Sequence, residues 1–323
     1  DESGGPITKD DTSVEYYNTI FTLVESPIEQ GLIWAGSDDG LIHISRNNGE
    51  SWENVTPKGL PETMISIIDA SHHNAGTAYF AATRYKFNDF QPMIYKTSNY
   101  GRSWEKITNG IPEMDFTRVV REDPNKEGLL FAGTETGLYV SFDAGKNWQS
   151  FQMNLPPVSI TDIAIQKRDQ DLIIATQGRS FWVFDDLPVL HQITEDITKA
   201  EHHLFDPEDP YLFGRGGSFN PSGTTGQNPT PGAVVYYMLG NDVSEEIKLE
   251  FLDMRDNVIK TYSSKKDDRD RPVKESPLFF EEKDQRPSSV VSDKEGLNKF
   301  SWDLEYPGVT NIEGTQILWA GNT

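Results

Sequence analysis

The chain has 323 residues, and its formal charge is −22 because 51 acidic residues oppose 29 basic ones. This excess argues against nucleic acid or an anionic membrane surface as a partner, since both require basic patches. There is no cysteine, which excludes disulfides and thiol chemistry. No apolar run approaches the ~18 residues that a membrane-spanning helix needs.

The predicted linker over residues 1–13 is followed by a repeated pattern of short apolar strands. The first strand of each unit is predicted at residues 19–24, 65–68, 116–120 and 160–165. The second strands follow at 32–36, 77–81, 129–133 and 172–176, and the third at 41–44, 93–96, 138–140 and 181–184. β-Branched and aromatic runs split by Pro, Gly, Asn and Asp predict strands. Four-stranded units repeating at about 45–50 residues are typical of β-propeller blades. Residues 14–190 are therefore predicted to form about four blades.

An eight-residue motif closes each of the first three units. It reads Ser/Thr-x-Asp/Asn-x-Gly-x-x-Trp and is called the octamer below. Its defining residues are Ser45, Asn47, Gly49 and Trp52, then Thr97, Asn99, Gly101 and Trp104, then Ser141, Asp143, Gly145 and Trp148. Gly supplies the positive φ of a tight turn, Asp or Asn accepts backbone N–H bonds, and Trp packs between neighbouring sheets. The octamer is therefore interpreted as a structural turn between the third and fourth strands.

The fourth unit lacks an octamer, because Asp185-Asp186-Leu187-Pro188 follows its third strand. It is interpreted as the closing blade, whose missing strand comes from the beginning of the propeller. Residues 191–232 are predicted to be a linker and a flexible Gly/Pro-rich loop. Alternating runs at 247–251 and 297–304 predict an immunoglobulin- or fibronectin-like β-sandwich over 233–323, incomplete at its end. The predicted fold class is all-β.

The octamer resembles the Asp-box, or bacterial neuraminidase repeat, of sialidases, xyloglucan-cleaving glycosidases and sortilin-type propellers. Residues 33–41, 132–139 and 175–186 are similar to segments of secreted bacterial proteins that are described as sortilin-like or glycosyl-hydrolase-like. The resemblance implies a secreted, periplasmic or cell-surface location, and it implies that further blades of the same protein lie upstream of residue 1. A sialidase reading is rejected because the Arg-Ile-Pro signature of that family is absent.

Candidate site residues lie in the turns on the face opposite the octamers, because successive turns of a four-strand meander fall on alternate faces. This face is called the loop face. The candidate catalytic carboxylates are Asp38, Asp39, Asp89 and Glu135. The candidate ligand-binding residues are Arg84, Tyr85, Phe90, Gln177 and Arg179. The connections between blades add Glu62, Glu113, Asp115 and Asn154. Aromatic rings could stack on a sugar or a side chain, and a glycosidase would need two carboxylates about 5–9 Å apart.

Three functions stay open from the sequence. The favoured one is a binding or interaction module for a protein or glycan ligand. The others are a glycoside hydrolase that uses a loop-face carboxylate pair, and a structural part of a larger surface protein. Calcium could be held by Asp38 and Asp39. Zinc is disfavoured because the histidines occur only as adjacent pairs or singly, without metal-ligand spacing. No other cofactor is predicted.

Overall fold

The computed structural model describes residues 17–210, 232–265, 290–304 and 306. The chain divides into two compact units between Leu187 and Pro188. The described residues are dominated by antiparallel strands, with only short helices. The prediction of an all-β fold is therefore confirmed.

The first unit consists of consecutive antiparallel sheets, which are numbered as blades 1 to 4. Blade 1 contains β1 (Ile20–Glu25), β2 (Ile33–Ser37), β3 (Ile42–Ser45) and β4 (Glu53–Asn54). Blade 2 contains β5 (Met64–Ala70), β6 (Ala78–Arg84), β7 (Asp89–Thr97) and β8 (Glu105–Lys106). Blade 3 contains β9 (Thr117–Glu122), β10 (Leu130–Thr134), β11 (Leu138–Ser141) and β12 (Gln149–Ser150). Blade 4 has three strands among the described residues, β13 (Ile160–Gln166), β14 (Asp171–Thr176) and β15 (Phe181–Phe184). Each strand pairs with its sequence neighbour, which is the meander of a propeller blade.

Successive blades pack face to face through apolar side chains. Trp34 and Ile44 of blade 1 share a buried cluster with Phe80 of blade 2. Tyr79, the neighbour of Phe80 in β6, lies instead in a second cluster with Leu130 of blade 3. Successive strand residues point to opposite faces of a sheet, so β6 is covered on both sides. This explains why β6 reads as a continuous apolar run rather than an alternating one.

The first strand of every blade carries a β-bulge near its start. One extra residue interrupts the register with the second strand in each case, and these residues are Phe21, Ser66, Arg118 and Thr161. A bulge bends its strand and changes the direction of a side chain. The repeat therefore extends to backbone irregularities as well as to the octamer.

The octamers form the turns between the third and fourth strands. In the third octamer, Gly145 N donates to Ser141 Oγ at 2.9 Å and Asn147 N donates to Asp143 Oδ1 at 2.9 Å. The same pair of bonds closes the first and second octamers. Gly145 has a φ of 87°, in the region that favours glycine. The predicted roles of the hydroxyl, the Asp or Asn side chain and the glycine are thus present in all three turns.

The second unit contains short helices and five strands among its described residues. These elements are α1 (Leu187–Gln192, which begins at the boundary), α2 (Glu195–Lys199), β16 (His202–Leu204), β17 (Ala233–Leu239), β18 (Lys248–Leu252), β19 (Val258–Ser263) and β20 (Gly296–Trp302). Strands β16, β17 and β20 form one sheet, and β18 and β19 form another. The ring of Phe251 in β18 lies 4.7 Å from the ring of Trp302 in β20, measured between centroids. The two sheets therefore pack on each other, while an immunoglobulin or fibronectin relationship stays a prediction.

The predicted linker beginning at residue 191 is wrong over its first part, where the structure has α2 and β16. Thr194 caps α2 by accepting a hydrogen bond from Ile197 N at 3.3 Å. Strand β16 forms because it pairs with β17, where His203 faces Met238. Both elements are too short for periodicity to reveal them. Most of the predicted Gly/Pro-rich loop, and the predicted strand over 316–319, lie outside the described residues.

Candidate binding surface on the loop face

The loop face is formed by the turns between second and third strands and by the segments that enter each first strand. Glu135 N, in the β10–β11 turn, donates to the carbonyl of Phe116 at 3.0 Å. Corresponding bonds join Asp38 to Thr19 and Gln177 to Ser159. On the opposite face, Ala144 of the third octamer donates to the carbonyl of Gly128, and the other two octamers make the equivalent bond. The octamers are therefore separated from the candidate site residues by the length of the strands.

The β6–β7 turn of blade 2 is an ordered, ion-paired projection. A single 3-10 turn covers Tyr85–Phe87, and it ends at Asn88, which has a φ of 58°. At its base, Arg84 NH1 lies 2.5 Å from Asp89 Oδ2. Arg84 Nε also donates to the carbonyl of Glu62 at 2.9 Å. The turn is thus tied to the segment that enters blade 2.

Aromatic rings from blades 2 and 3 meet beside this turn. Tyr85 stacks on Phe116 with centroids 5.4 Å apart, and Phe90 lies 6.0 Å from the same ring. Phe116 is buried, whereas Tyr85 is 37% exposed. The buried ring therefore supports an exposed aromatic surface across two blades.

Two arginines lie beside these rings, and each forms an ion pair with a carboxylate. The guanidinium of Arg118 lies 5.0 Å from the Phe116 centroid and 5.9 Å from that of Tyr85. Its Nε and NH2 both contact Glu135 Oε2, at 2.8 and 2.6 Å. Arg84 lies 5.2 Å from the centroid of Phe87. The loop-face patch is defined as Arg84, Tyr85, Phe87, Phe90, Phe116 and Arg118, with the partner carboxylates Asp89 and Glu135.

The carboxylates of blade 1 surround Tyr17 rather than the rings. The Tyr17 hydroxyl donates to Glu62 Oε1. Burial raises the pKa of Tyr17, and the hydrogen bond to Glu62 and the charges of Glu62, Asp39 and Asp38 raise it further. Asp38 Oδ1 accepts the Thr19 N–H at 2.8 Å, and Asp39 accepts the Ser37 hydroxyl. Glu62 links this acidic group to the patch through its contact with Arg84.

Five of the nine candidate site residues are brought together and four are not. Arg84, Tyr85, Asp89, Phe90 and Glu135 all belong to the patch or pair with it. Gln177 and Arg179 lie in the β14–β15 turn of blade 4, where Arg179 N donates to Thr176 Oγ1 at 3.1 Å. Within residues 17–210, no hydrogen bond or ion pair joins Gln177 or Arg179, or Asp38 or Asp39, directly to a patch residue.

Phe116 and Arg118 were not predicted to be site residues, because the sequence pattern assigned them only to a strand. Arg118 is the extra residue of the bulge in β9. Aligning the first strands of the four blades could have singled out Arg118, because the bulge positions hold Phe21, Ser66, Arg118 and Thr161. Arg118 is the charged member of that set, two residues after Phe116.

A second polar cluster, with Asp69 buried and Asp162 exposed, joins blades 2, 3 and 4 and is separate from the loop-face patch. Arg121 contacts Asp69 Oδ1 at 3.2 Å and Asp162 Oδ1 at 3.1 Å, and so bridges blades 2 and 4 from blade 3. Burial raises the pKa of Asp69 to about 6, although Arg121 and the Glu122 N–H act in the opposite direction. This cluster is interpreted as structural.

Within the described ranges, no group of three or more His, Asp or Glu side chains is arranged to hold a metal ion. Calcium at Asp38 and Asp39 stays a prediction. Among the described residues, no helix has the length and apolar character needed to cross a membrane.

Comparison with known proteins places this chain beside several propeller families. The family model Sortilin-Vps10, described as sortilin, neurotensin receptor 3, matches residues 92–206, which is less than half of the chain. The oligoxyloglucan-reducing end-specific xyloglucanase of Emericella nidulans is 21% identical over 106 residues, which are 32% of this chain and 13% of that protein.

Solved structures give similarly distant likenesses. The GH74 xyloglucanase from Xanthomonas campestris is 18% identical with a TM-score of 0.43, over 53% of this chain and 29% of that one. YCF48 bound to D1 peptide is 15% identical with a TM-score of 0.41, over 76% of this chain and 69% of that one. Likenesses at this level carry no argument about the ligand of this protein.

Proposed function

We propose that the first unit is an extracellular or periplasmic binding module, built on an Asp-box propeller, that recognises a protein or glycan ligand on its loop face. The loop-face patch carries the proposal. Exposed rings at Tyr85 and Phe87, supported by buried Phe116 and edged by arginines, are the residue types that dominate binding energies. Loops held on a rigid scaffold are where binding residues concentrate.

The engagement of the carboxylates favours binding over catalysis. Asp89 is bonded to Arg84, and Glu135 is bonded to Arg118. Asp38 accepts a backbone N–H. Each partner occupies one oxygen of its carboxylate and holds the side chain in place, as a preorganised binding surface requires.

The test is a glycan array and a peptide array probed with the wild type, Tyr85→Ala and Phe142→Ala. Phe142 lies in the third octamer, on the opposite face, and serves as the matched aromatic control. We expect the strongest ligand to lose at least about tenfold in affinity with Tyr85→Ala and to be unaffected by Phe142→Ala. Equal binding by all three proteins would show that the ligand does not use the patch.

The alternative function is a glycoside hydrolase, which is favoured by the partial match to a xyloglucanase and by the acidic residues on the loop face. It is tested with a panel of aryl-glycosides and xyloglucan oligosaccharides. Turnover by the wild type that disappears in an Asp38→Ala, Asp89→Ala, Glu135→Ala triple variant would establish it over the binding module.

Upstream blades of the same protein are the proposed partner of blade 1. Ile20 and Leu23 in β1 are each 62% exposed, whereas their counterparts in β5, Ile65 and Ile68, are fully buried. The octamer tryptophans follow the same pattern, since Trp52 is 44% exposed and Trp148 only 5%.

The hydrogen bonds of the other two octamer tryptophans show which acceptor is missing at the exposed face of blade 1. Trp104 Nε1 donates to the carbonyl of Val55 at 2.7 Å, and Trp148 Nε1 donates to the carbonyl of Ile107 at 2.8 Å. Trp104 and Trp148 therefore each bond to the blade before their own, and a preceding blade would supply the acceptor for Trp52. Hydrogen exchange of β1 should slow markedly when preceding sequence is included in the expressed protein. Unchanged exchange would contradict this partner.

A further inference from the structure

We infer that the loop-face patch binds a cationic peptide segment, in which Lys or Arg residues flank an apolar or aromatic side chain. The inference rests on the proposed function, because it names the ligand chemistry of the same site. It follows from three properties of the patch. Its arginines are already paired with carboxylates, two carboxylate oxygens accept no hydrogen bond from a described group, and its aromatic rings are exposed.

The arginines of the patch are poor anion sites. Arg118 directs two donors to Glu135 Oε2 at 2.6 to 2.8 Å, and Arg84 is bonded to Asp89 and to the Glu62 carbonyl. An anionic ligand would have to displace a charge-assisted bond that is already formed. The guanidinium groups therefore serve to hold the rings and the carboxylates in place.

Two carboxylate oxygens beside the patch are available to a cation. Both Arg118 contacts go to Oε2 of Glu135, and among the described residues nothing donates to its Oε1. The Glu135 side chain is 40% exposed. Glu62 is exposed and uses Oε1 to accept the Tyr17 hydroxyl, and no described group donates to its Oε2. A ligand with two positive charges could contact both.

Each exposed ring is connected to one of these two residues through an arginine. Tyr85 is linked to Glu135 through Arg118, and Phe87 is linked to Glu62 through Arg84. An apolar or aromatic ligand side chain would stack on them, and a ligand cation would gain from their faces as well.

The surrounding charge favours the same ligand. On the turns and connections of blades 1 to 3, the carboxylates are Asp38, Asp39, Glu62, Asp89, Glu113, Asp115 and Glu135, against the cations Lys58, Arg84 and Lys86, with Arg118 at the bulge of β9. The whole chain carries −22. Such a field raises the association rate of a cationic ligand and suppresses that of an anionic one.

The test uses three labelled peptides with the full chain. They are GSRFLRSG, its charge-reversed form GSEFLESG, and GSRSSRSG, which keeps the charges without the apolar pair. Fluorescence anisotropy should show the first peptide binding at least tenfold more tightly than either of the others. Its affinity should fall as salt is raised from about 20 to about 300 mM, because the Debye length shortens.

Paired variants separate the site from bulk charge. Glu62→Gln and Glu135→Gln should each weaken binding of GSRFLRSG at least fivefold. Glu50→Gln, which removes the same charge from the first octamer on the opposite face, should change it less than twofold. Circular dichroism checks that the variants fold.

Other outcomes overturn the inference in distinguishable ways. Equal binding of the charge-reversed peptide, or equal losses in Glu50→Gln and Glu62→Gln, would leave no role for these carboxylates. If no peptide binds but a xyloglucan oligosaccharide binds in a Tyr85-dependent way, the cationic ligand is wrong and the proposed function stands. If neither class binds, both are wrong.

Discussion

Asp143 is the acidic member of a set whose other members, Asn47 and Asn99, are neutral. All three side chains accept a backbone N–H four residues later. Partial burial raises the pKa of Asp143, but hydrogen bonds from Asn147 and Ser141 and the charge of Lys146 hold it below its ordinary value of 3.8. One position of the repeat thus accepts the same backbone bond with and without charge, whereas Asp143 Oδ2 accepts a bond from Asn147 and the Nδ2 groups of the two asparagines donate one.

Asp143→Asn should therefore be nearly neutral at pH 7 and should reduce acid sensitivity. A carboxyl with a lowered folded pKa stabilises above about pH 4, and this contribution is lost as pH falls through the folded pKa. Urea unfolding at pH 7 should change by only about 1 kcal/mol, because an amide oxygen can still accept the Asn147 N–H and only the exposed bond from Asn147 Nδ2 to Oδ2 is lost. Between pH 4 and pH 3 the variant should lose less stability than the wild type. Parallel pH profiles would contradict this.

Gly110 and Gly59 form a natural matched pair, because both follow a fourth strand and both have a positive φ, of 99° and 80°. A Cβ on Gly110 would lie 2.1 Å from the carbonyl oxygen of Trp148, whereas one on Gly59 would meet nothing within 4 Å. The two sites therefore separate the cost of a side chain at positive φ, which both share, from the cost of a steric clash, which arises only at Gly110.

Gly110→Ala should destabilise the protein by several kcal/mol and Gly59→Ala by only about 1 kcal/mol, since the second change carries the φ penalty alone. Denaturant unfolding of both variants measures the difference. Similar losses would show that the backbone moves to relieve the contact with Trp148.

At the scale of elements, the interface between blades combines a shared apolar cluster with polar links. The octamer Trp contributes to both, because Trp104 packs edge-on against Phe80 at 4.9 Å and bonds to the carbonyl of Val55. The Arg121 cluster adds a buried charged link across blades 2, 3 and 4. A buried carboxylate in such a link makes stability depend on pH.

Asp69 should destabilise the native state progressively as pH rises from about 4 to about 6. Its folded pKa of about 6 lies above its ordinary 3.8, so the native state binds the proton more tightly than the unfolded chain does. The corresponding stability is present below pH 4 and lost by pH 6, and it amounts to roughly 3 kcal/mol. Relative to Asp69→Asn, the wild type should lose about this much across that window in urea unfolding.

Asp162→Asn is the control, because Asp162 contacts the same Arg121 but its side chain is mostly exposed. Its difference from the wild type should stay nearly constant between pH 4 and 6. A constant difference for Asp69→Asn as well would show that Arg121 fully compensates the buried charge.

Over the whole first unit, burial is greatest in the middle blades and declines toward both ends. Strands β6 and β10 are almost entirely buried, whereas β1 and β15 expose half or more of their residues. The middle strands are covered by a blade on each side. Local opening requires less energy where fewer apolar contacts must break.

Hydrogen exchange should therefore be slowest in β6 and β10 and fastest in β1 and β15. We expect protection in the middle strands to approach the global unfolding free energy and the end strands to exchange by local opening. Uniform protection across the blades would mean that the unit opens only as a whole.

The sequence alone determined the repeat, because strand alternation, turn residues and the octamer are local properties. It also determined which turns share a face, since a meander alternates its turns, and so it predicted a common face for five residues that the structure brings together, which are Arg84, Tyr85, Asp89, Phe90 and Glu135. It did not show β16, which exists only through its pairing with β17.

Tertiary structure alone decided which of these side chains meet. Phe116 and Arg118 join the patch because a bulge and the stacking of blades 2 and 3 bring them to Tyr85, and contacts between blades leave no local signature. The octamer carries no part of the proposed site, because the length of the strands separates the two faces. The candidate carboxylates are divided between ion pairs and turn hydrogen bonds, and those partners are set by packing that leaves no local signal in the sequence.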